Sequence, residues 1–152
     1  MQLQDGVYPI LPIDFPQVVK VWEASVRATH HFVREEDIEI FRPLVRDSLP
    51  QIKKLACVRS NSNQVAGFVA VVADKVEMLF IDPEARGMGA GKRLLSHAVK
   101  VFGARTLDVN EQNQQAIGFY LHMGFKVIGR SEFDSTGKPY PLLHMLLSSF
   151  AT

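Results

Sequence analysis

Arg86-Gly87-Met88-Gly89-Ala90-Gly91-Lys92 is the stretch on which the reading of this 152-residue chain turns. It lies between an apolar, strand-like run, Val76 to Ile81, and Lys92 to Phe102, where Leu94, Leu95, Ala98, Val99 and Phe102 share one helical face and Gly103 is placed to end the helix. Glycines at every second position let the backbone take angles that other residues resist and let a ligand approach closely. A helix starting there presents unpaired N–H groups and the positive end of its dipole. Arg86, Lys92 and Arg93 crowd that end, where acidic side chains are normally favoured. An anion seated there relieves the conflict, so the stretch predicts a bound phosphate or pyrophosphate.

Two common phosphate motifs do not fit. The nucleoside-triphosphate loop needs Gly, four residues, then Gly-Lys-Ser/Thr, but Arg93 follows Gly91-Lys92 and Arg86 stands at the first glycine position. The dinucleotide fingerprint needs a third glycine where Lys92 stands.

Outward from this stretch the chain reads as alternating strands and helices. Towards the N-terminus, Leu55 to Arg59, Val65 to Ala73 and Val76 to Ile81 are strand-like and joined by the short turns Ser60 to Gln64 and Asp74-Lys75, which predicts an antiparallel meander. Before them come a short strand at Val7 to Leu11 and a helix capped by Asp14 that carries Val18, Val19, Trp22 and Val26. A second helix, Glu35 to Leu49, is expected to break or bend near Pro43. Towards the C-terminus, Thr106 to Val109 is a strand and Gln114 to Met123 a helix stopped by Gly124. Phe125 to Ile128 and Leu142 to Leu147 form a last strand pair around the loop Ser135 to Pro139. The expected fold is α/β, a mixed but mostly antiparallel sheet flanked by helices, in a single domain spanning residues 1–152.

Bulk composition excludes several classes of function. Seventeen Lys and Arg against sixteen Asp and Glu give a net charge of +1, so no global field draws nucleic acid or an anionic membrane. No apolar run approaches the roughly 20 residues that cross a bilayer, and the N-terminus lacks a signal-peptide pattern. The single cysteine, Cys57, lies in an apolar run and reads as a buried strand residue. These features point to the cytoplasm. No zinc spacing is present, and His122 and His144 lack partners at metal-ligand spacing, so no metal is expected. Nucleic acid is not expected to bind at Arg86, Lys92 and Arg93, because no aromatic residues alternate with them as a stacking platform.

Arg86, Gly89 and Gly91 satisfy the pattern Arg/Gln-x-x-Gly-x-Gly/Ala. Downstream, Asn110-Glu111-Gln112-Asn113 supplies Asn-x-x-Asn, Ala116-Ile117-Gly118-Phe119-Tyr120 supplies Ala-x-x-Phe-Tyr, and Gly124-Phe125 follows. On these motifs the sequence resembles the GCN5-related N-acetyltransferase (GNAT) superfamily, well over Val76 to Phe125 and more loosely over the whole chain. The resemblance implies an enzyme that moves the acetyl group of acetyl-CoA onto a primary amine, in a small molecule or a protein, acting as a monomer or homodimer. Its pyrophosphate signature implies that Arg86, Gly87, Met88, Gly89, Ala90, Gly91 and Lys92 hold the coenzyme. It implies further that main-chain groups of Leu79, Phe80 and Ile81 pair with the pantetheine arm, as a strand added to an open edge would. The resemblance also makes Asn113 a candidate contact to the coenzyme, although as a helix N-cap it has an equally good structural role.

Tyr120 falls at the position where this family commonly places a general acid. A thiol has a pKa of about 8.5 and a phenol about 10, so a positioned tyrosine is able to protonate or stabilise a departing thiolate. By periodicity alone, Ala116, Ile117, Tyr120 and Leu121 share a face and Tyr120 is a core residue. The amine must also lose a proton. Glu77, at the start of the strand carrying Leu79 and Ile81, is the leading acidic candidate for the base; its plain alternative is a solvated strand charge. His30-His31, Trp22, Phe32, Tyr140 and the Gly137 to Pro139 loop are candidates for the acceptor side. The alternative function is a non-catalytic acyl-CoA sensor, which keeps the glycine stretch and has no use for the Tyr120 hydroxyl.

Overall fold

The computed structural model describes residues 1–149. Its elements are β1 (Tyr8–Pro9), α1 (Phe15–Thr29), α2 (Glu35–Ser48), β2 (Lys54–Arg59), β3 (Val65–Val72), β4 (Lys75–Ile81), α3 (Ala90–Lys100), β5 (Thr106–Asn110), α4 (Gln114–His122), β6 (Phe125–Ser131) and β7 (Leu142–Leu147). One seven-stranded sheet runs in the order β1-β2-β3-β4-β5-β7-β6. Every neighbouring pair is antiparallel except β4 and β5. No helix among the described residues is long and apolar enough to cross a membrane.

The expected meander is present, because its two connections are turns in which Asn63 and Ala73 take left-handed angles (φ 66° and 54°). The sheet carries an apolar layer on each face. On one, Leu94, Leu95 and Ala98 of α3 pack against Val69, Val71, Leu107 and Met145. On the other, Val18, Trp22 and Val26 of α1 and Ile38 of α2 pack against Leu55, Cys57, Phe68 and Ala70. Leu94 and Leu95 are fully buried, and each such side chain contributes about 1.5–3 kcal/mol. α3 lies close on β3 because Gly67 has no side chain: a Cβ there would stand 2.8 Å from Ile81 Cδ1 and 3.3 Å from Leu94 Cδ1.

Four local expectations are corrected. Asp14 stands at the N-cap position of α1, but its side chain makes no cap bond; a 3-10 turn, Pro12–Asp14, leads in, and the buried carboxylate accepts from the Leu11 amide (2.9 Å) and pairs with Arg59 (2.8 Å). Of the two outcomes expected at Pro43 the break does not occur: α2 is continuous there, and Arg42 beside it bonds Glu23 of α1 (2.5 Å) and Glu39 (2.6 Å). α3 begins at Ala90 rather than Lys92, because Gly89, at φ 77°, is its N-cap. Leu121 is half exposed, since Tyr120 and Met123 take the inward positions of the short α4.

Two irregularities shape the centre of the sheet. β3 and β4 pair Ala70 with Met78 and Val71 with Val76, so Glu77 is an extra, bulged residue. β4 and β5 pair only at Lys75↔Thr106 and Val76↔Leu107, and beyond Val76 the two strands part. The opening this leaves is where both candidate motifs converge.

Candidate functional site

Gly87 and Gly89 both sit at φ 77°, and a Cβ on either would meet nothing within 4 Å. Backbone conformation, not crowding, is what requires glycine at these positions. The first i→i−4 bond of α3 runs from the Arg93 amide to Gly89 C=O (3.0 Å), so the amides of Ala90, Gly91 and Lys92 have no acceptor within the helix. Arg86, Met88 and Lys92 are exposed around this turn. Arg93 is not part of the cluster as expected: its guanidinium donates to Gln4 C=O (2.8 Å) and Gly6 C=O (3.2 Å), anchoring the N-terminal segment.

Leu79, Phe80 and Ile81 pair with Val69, Phe68 and Gly67 on the β3 side, while their other edge faces the opening towards β5. There, Leu79, Phe80, Arg86, Asn113, Phe119 and Tyr120 line a cleft of about 160 Å³, together with the end of α1. Asn113 caps α4, its Oδ1 accepting from the Ala116 amide (3.2 Å), so the capping role is realised, and its amide nitrogen lies 3.4 Å from His30 Nε2. The Tyr120 ring packs edge-on against Phe119 and Phe125, at 5.3 and 6.0 Å between centroids. Among the described residues its hydroxyl has no hydrogen-bond partner, and burial pushes the phenol above its ordinary pKa. Such a group holds its proton.

A second, larger cleft of about 610 Å³ opens between the helices α1 and α2 and the sheet. Its walls are largely apolar, with Trp22, Val26, Phe41 and Met78 among them, and its acidic side chains are Glu77 and Asp134. The bulge turns both Glu77 and Met78 to this side. Glu77 lines only this cleft, with Lys75 Nζ 3.9 Å away. Lys75 itself is engaged more closely with Asp108 (2.7 Å).

Two residues line both clefts, His30 and Phe80. Burial, with the neighbouring His31 adding charge repulsion, pushes the His30 imidazole down to about 4. His31 is exposed and lines neither cleft. Tyr140 and the 137–139 loop do not line a cleft either. The Tyr140 hydroxyl donates to the buried Asp37 of α2, which also holds Lys138 Nζ (3.0 Å). This ties the loop down so that Asp134, Ser135 and Thr136 form the wall instead. Sequence reading missed that wall, although Asp134-Ser135-Thr136-Gly137 carries the signal of a side-chain-closed turn: Asp134 Oδ1 accepts from the Thr136 and Lys138 amides at 2.9 and 3.0 Å. His144 bonds Asp108 Oδ1 and Ser131 Oγ, both at 2.6 Å, and no group of three or more metal-binding side chains occurs among the described residues.

Comparison with known proteins agrees with this geometry. The acetyltransferase (GNAT) domain family matches residues 53–127. The peptidyl-lysine N-acetyltransferase YjaB of Salmonella typhimurium is 43% identical, over 86% of this chain and 89% of its own. Its Escherichia coli counterpart is 44% identical over 85% and 87%. The solution structure of apo YjaB from Escherichia coli superposes with a TM-score of 0.85 at 39% identity, covering 98% of this chain and 99% of that one. The PaiA N-acetyltransferase of Thermoplasma acidophilum, solved in complex with coenzyme A, shares the fold at a TM-score of 0.71 and 21% identity, covering 97% and 99%. A glycine-capped helix beside a parted pair of strands, found within a chain so similar to acetyltransferases over nearly its whole length, makes this protein an N-acetyltransferase of the GNAT family.

Proposed function

We propose that this enzyme transfers the acetyl group of acetyl-CoA to a primary amine, and that the amine is the side chain of a protein lysine. The observation that carries the reading is the meeting of two clefts at the parted β4–β5 edge, one beside the glycine turn and Tyr120, the other beside Glu77. The lysine acceptor is suggested by the relatives that are named for it.

The residues present fit the coenzyme. Open amides at 90–92, two left-handed glycines and the exposed Arg86 and Lys92 suit a diphosphate. The free edge at Leu79, Phe80 and Ile81 suits an extended amide-bearing arm. When bound, the acyl thioester supplies an electrophilic carbonyl and a sulfur leaving group. Tyr120 acts as the general acid: its hydroxyl is unpartnered, keeps its proton at neutral pH and lines the cleft in which the sulfur would depart. Glu77 supplies the acceptor-side carboxylate, holding the incoming ammonium group beside the cleft water that carries off the proton it sheds before attack. The single sheet under both clefts supports one catalytic domain.

Titration calorimetry with acetyl-CoA, followed by thiol release with a lysine-containing peptide, tests the reading. Binding and turnover are expected; a protein that binds no acetyl-CoA at millimolar ligand would refute it. Tyr120→Phe should lower kcat by about 100-fold or more with the affinity for acetyl-CoA unchanged. Unaltered thiol release in that variant would remove Tyr120 from the mechanism.

A further inference from the structure

We propose that His30 is the group that takes the proton from the attacking amine, through an Nε2 lone pair held at the junction of the two clefts. The proposal rests on the acetyl-transfer reading and adds to it a catalytic residue on the acceptor side.

Hydrogen-bond bookkeeping fixes the tautomer. Thr29 Oγ1 has one hydrogen, and it donates that hydrogen to Ser25 C=O at 2.7 Å. The same oxygen lies 2.7 Å from His30 Nδ1, so it must accept there, and Nδ1 carries the imidazole proton. Nε2 is therefore the unprotonated nitrogen. Asn113 supports this independently. Its Oδ1 is turned to the Ala116 amide, which aims its NH₂ group at His30, a donor matched to a lone pair. At 3.4 Å that contact is long, and an amine arriving from the larger cleft would compete with it readily.

Position separates His30 from Glu77. An acceptor entering by the larger cleft meets Glu77 and Asp134 there, but neither reaches the smaller cleft, whereas His30 borders both, its ring tilted against Phe32 and Phe80 at 5.2 and 6.5 Å. The charged groups around it are His31 beside it in the chain, Glu77 and Asp134 on the acceptor side, and Arg86 on the coenzyme side. None of the three in the clefts is hydrogen-bonded to the imidazole. Burial keeps the ring neutral at physiological pH, so it does not arrive already protonated.

The proton balance closes. The incoming ammonium first sheds one proton through cleft water beside Glu77, which frees its lone pair; the neutral nitrogen then bonds to the acyl carbon as the carbon–sulfur bond breaks. The nitrogen's proton passes to His30 Nε2, and the Tyr120 hydroxyl gives its proton to the sulfur. His30 then returns its proton through cleft water, and the tyrosinate is reprotonated from solvent. A nitrogen already bonded to the acyl carbon is far more acidic than a free ammonium ion, and the negative charge developing on sulfur favours the imidazolium just when it forms.

Two measurements test this. Long-range proton–nitrogen correlation spectra of the unliganded enzyme at pH 6 to 8 should show His30 neutral with the proton on Nδ1; a charged ring or an Nε2–H tautomer would overturn the proposal. His30→Gln should lose about 100-fold in kcat/KM for the amine while acetyl-CoA binding, by calorimetry, stays unchanged. That deficit should shrink as pH rises and hydroxide takes over, and added imidazole should restore part of the turnover of His30→Ala. Full activity in His30→Gln sinks the proposal but not the acetyl-transfer reading. A loss confined to acetyl-CoA affinity would make His30 only a support for Asn113. If the wild type itself released no thiol with any amine, the acetyl-transfer reading would fail first.

Discussion

Keeping His30 neutral has a cost that appears in stability, whatever its part in catalysis. The folded imidazole is held down to about 4, against about 6.5 in an unfolded chain. Between these values the unfolded state binds more protons than the folded one, so stability rises with pH across that window. The contribution is fully present above about 6.5 and is lost as pH falls through the folded value. Applying the linkage relation from pH 7 to pH 5, the wild type loses about 2 kcal/mol through this one group. Carboxylates and the half-buried His97, whose pKa burial also lowers, add their own pH dependence, but His30→Gln leaves those in place. Urea unfolding followed by the fluorescence of Trp22, the only tryptophan and 4% exposed, reads both proteins at both pH values. The wild type should lose about 2 kcal/mol more than His30→Gln on going from pH 7 to pH 5. Parallel losses in the two proteins would refute the premise that the ring is desolvated and neutral.

Other substitutions bear on the glycine turn and the core. Gly89→Ala forces a side chain into a left-handed position (φ 77°), which costs about 1–2 kcal/mol and should weaken acetyl-CoA binding measured by calorimetry. Gly91→Ala, two residues on, lies inside α3 with its Cβ 3.5 Å from Phe119 Cζ; it should be neutral or stabilising by up to about 1 kcal/mol in a thermal melt. Gly67→Ala drives a methyl group against Ile81 and Leu94 and should destabilise by about 1–3 kcal/mol, read by the same melt. Burial pushes the Cys57 thiol up to about 11, so iodoacetamide at pH 8 should leave the folded protein unmodified and alkylate it only in urea, as mass spectrometry would show.

Much of the fold was legible because its signals are local. The Ser60 to Gln64 and Asp74-Lys75 turns announced the meander, and Leu142–Leu147 was read end to end from its apolar run. Three of the errors have one origin. Asp14 satisfies the rules for an N-cap, yet Arg59, 45 residues away in sequence, takes its carboxylate. Pro43 satisfies the rules for a helix breaker, yet Arg42 anchors its turn to α1. Leu121 matches the periodic face of α4 but lies beyond the reach of the core. In each case a partner from another element, or its absence, overrode a preference of about 1–3 kcal/mol. Insertion of β7 between β5 and β6 was illegible for the same reason, since nothing in either strand names its neighbour.

The same distinction divides the site. Its coenzyme side is built mostly from residues 79–92 and 113–120, two short stretches in which backbone angles, a helix start and a cap do the binding work, so it can be read from spacing. Its acceptor side is assembled from Trp22 and His30 of α1, Phe41 of α2, Glu77 of β4 and the 134–136 turn, and no spacing rule links positions so far apart. That difference has a physical consequence. The coenzyme cradle depends on main-chain geometry that few side chains can alter, whereas the acceptor walls are side chains on separate elements. Changing Phe41 or Thr136 should therefore reshape which amine is accepted while leaving the affinity for acetyl-CoA where it was. His30 and Phe80 border both clefts, so a change of bulk at either reaches both, and only a replacement of similar size such as His30→Gln separates the acceptor chemistry from coenzyme binding.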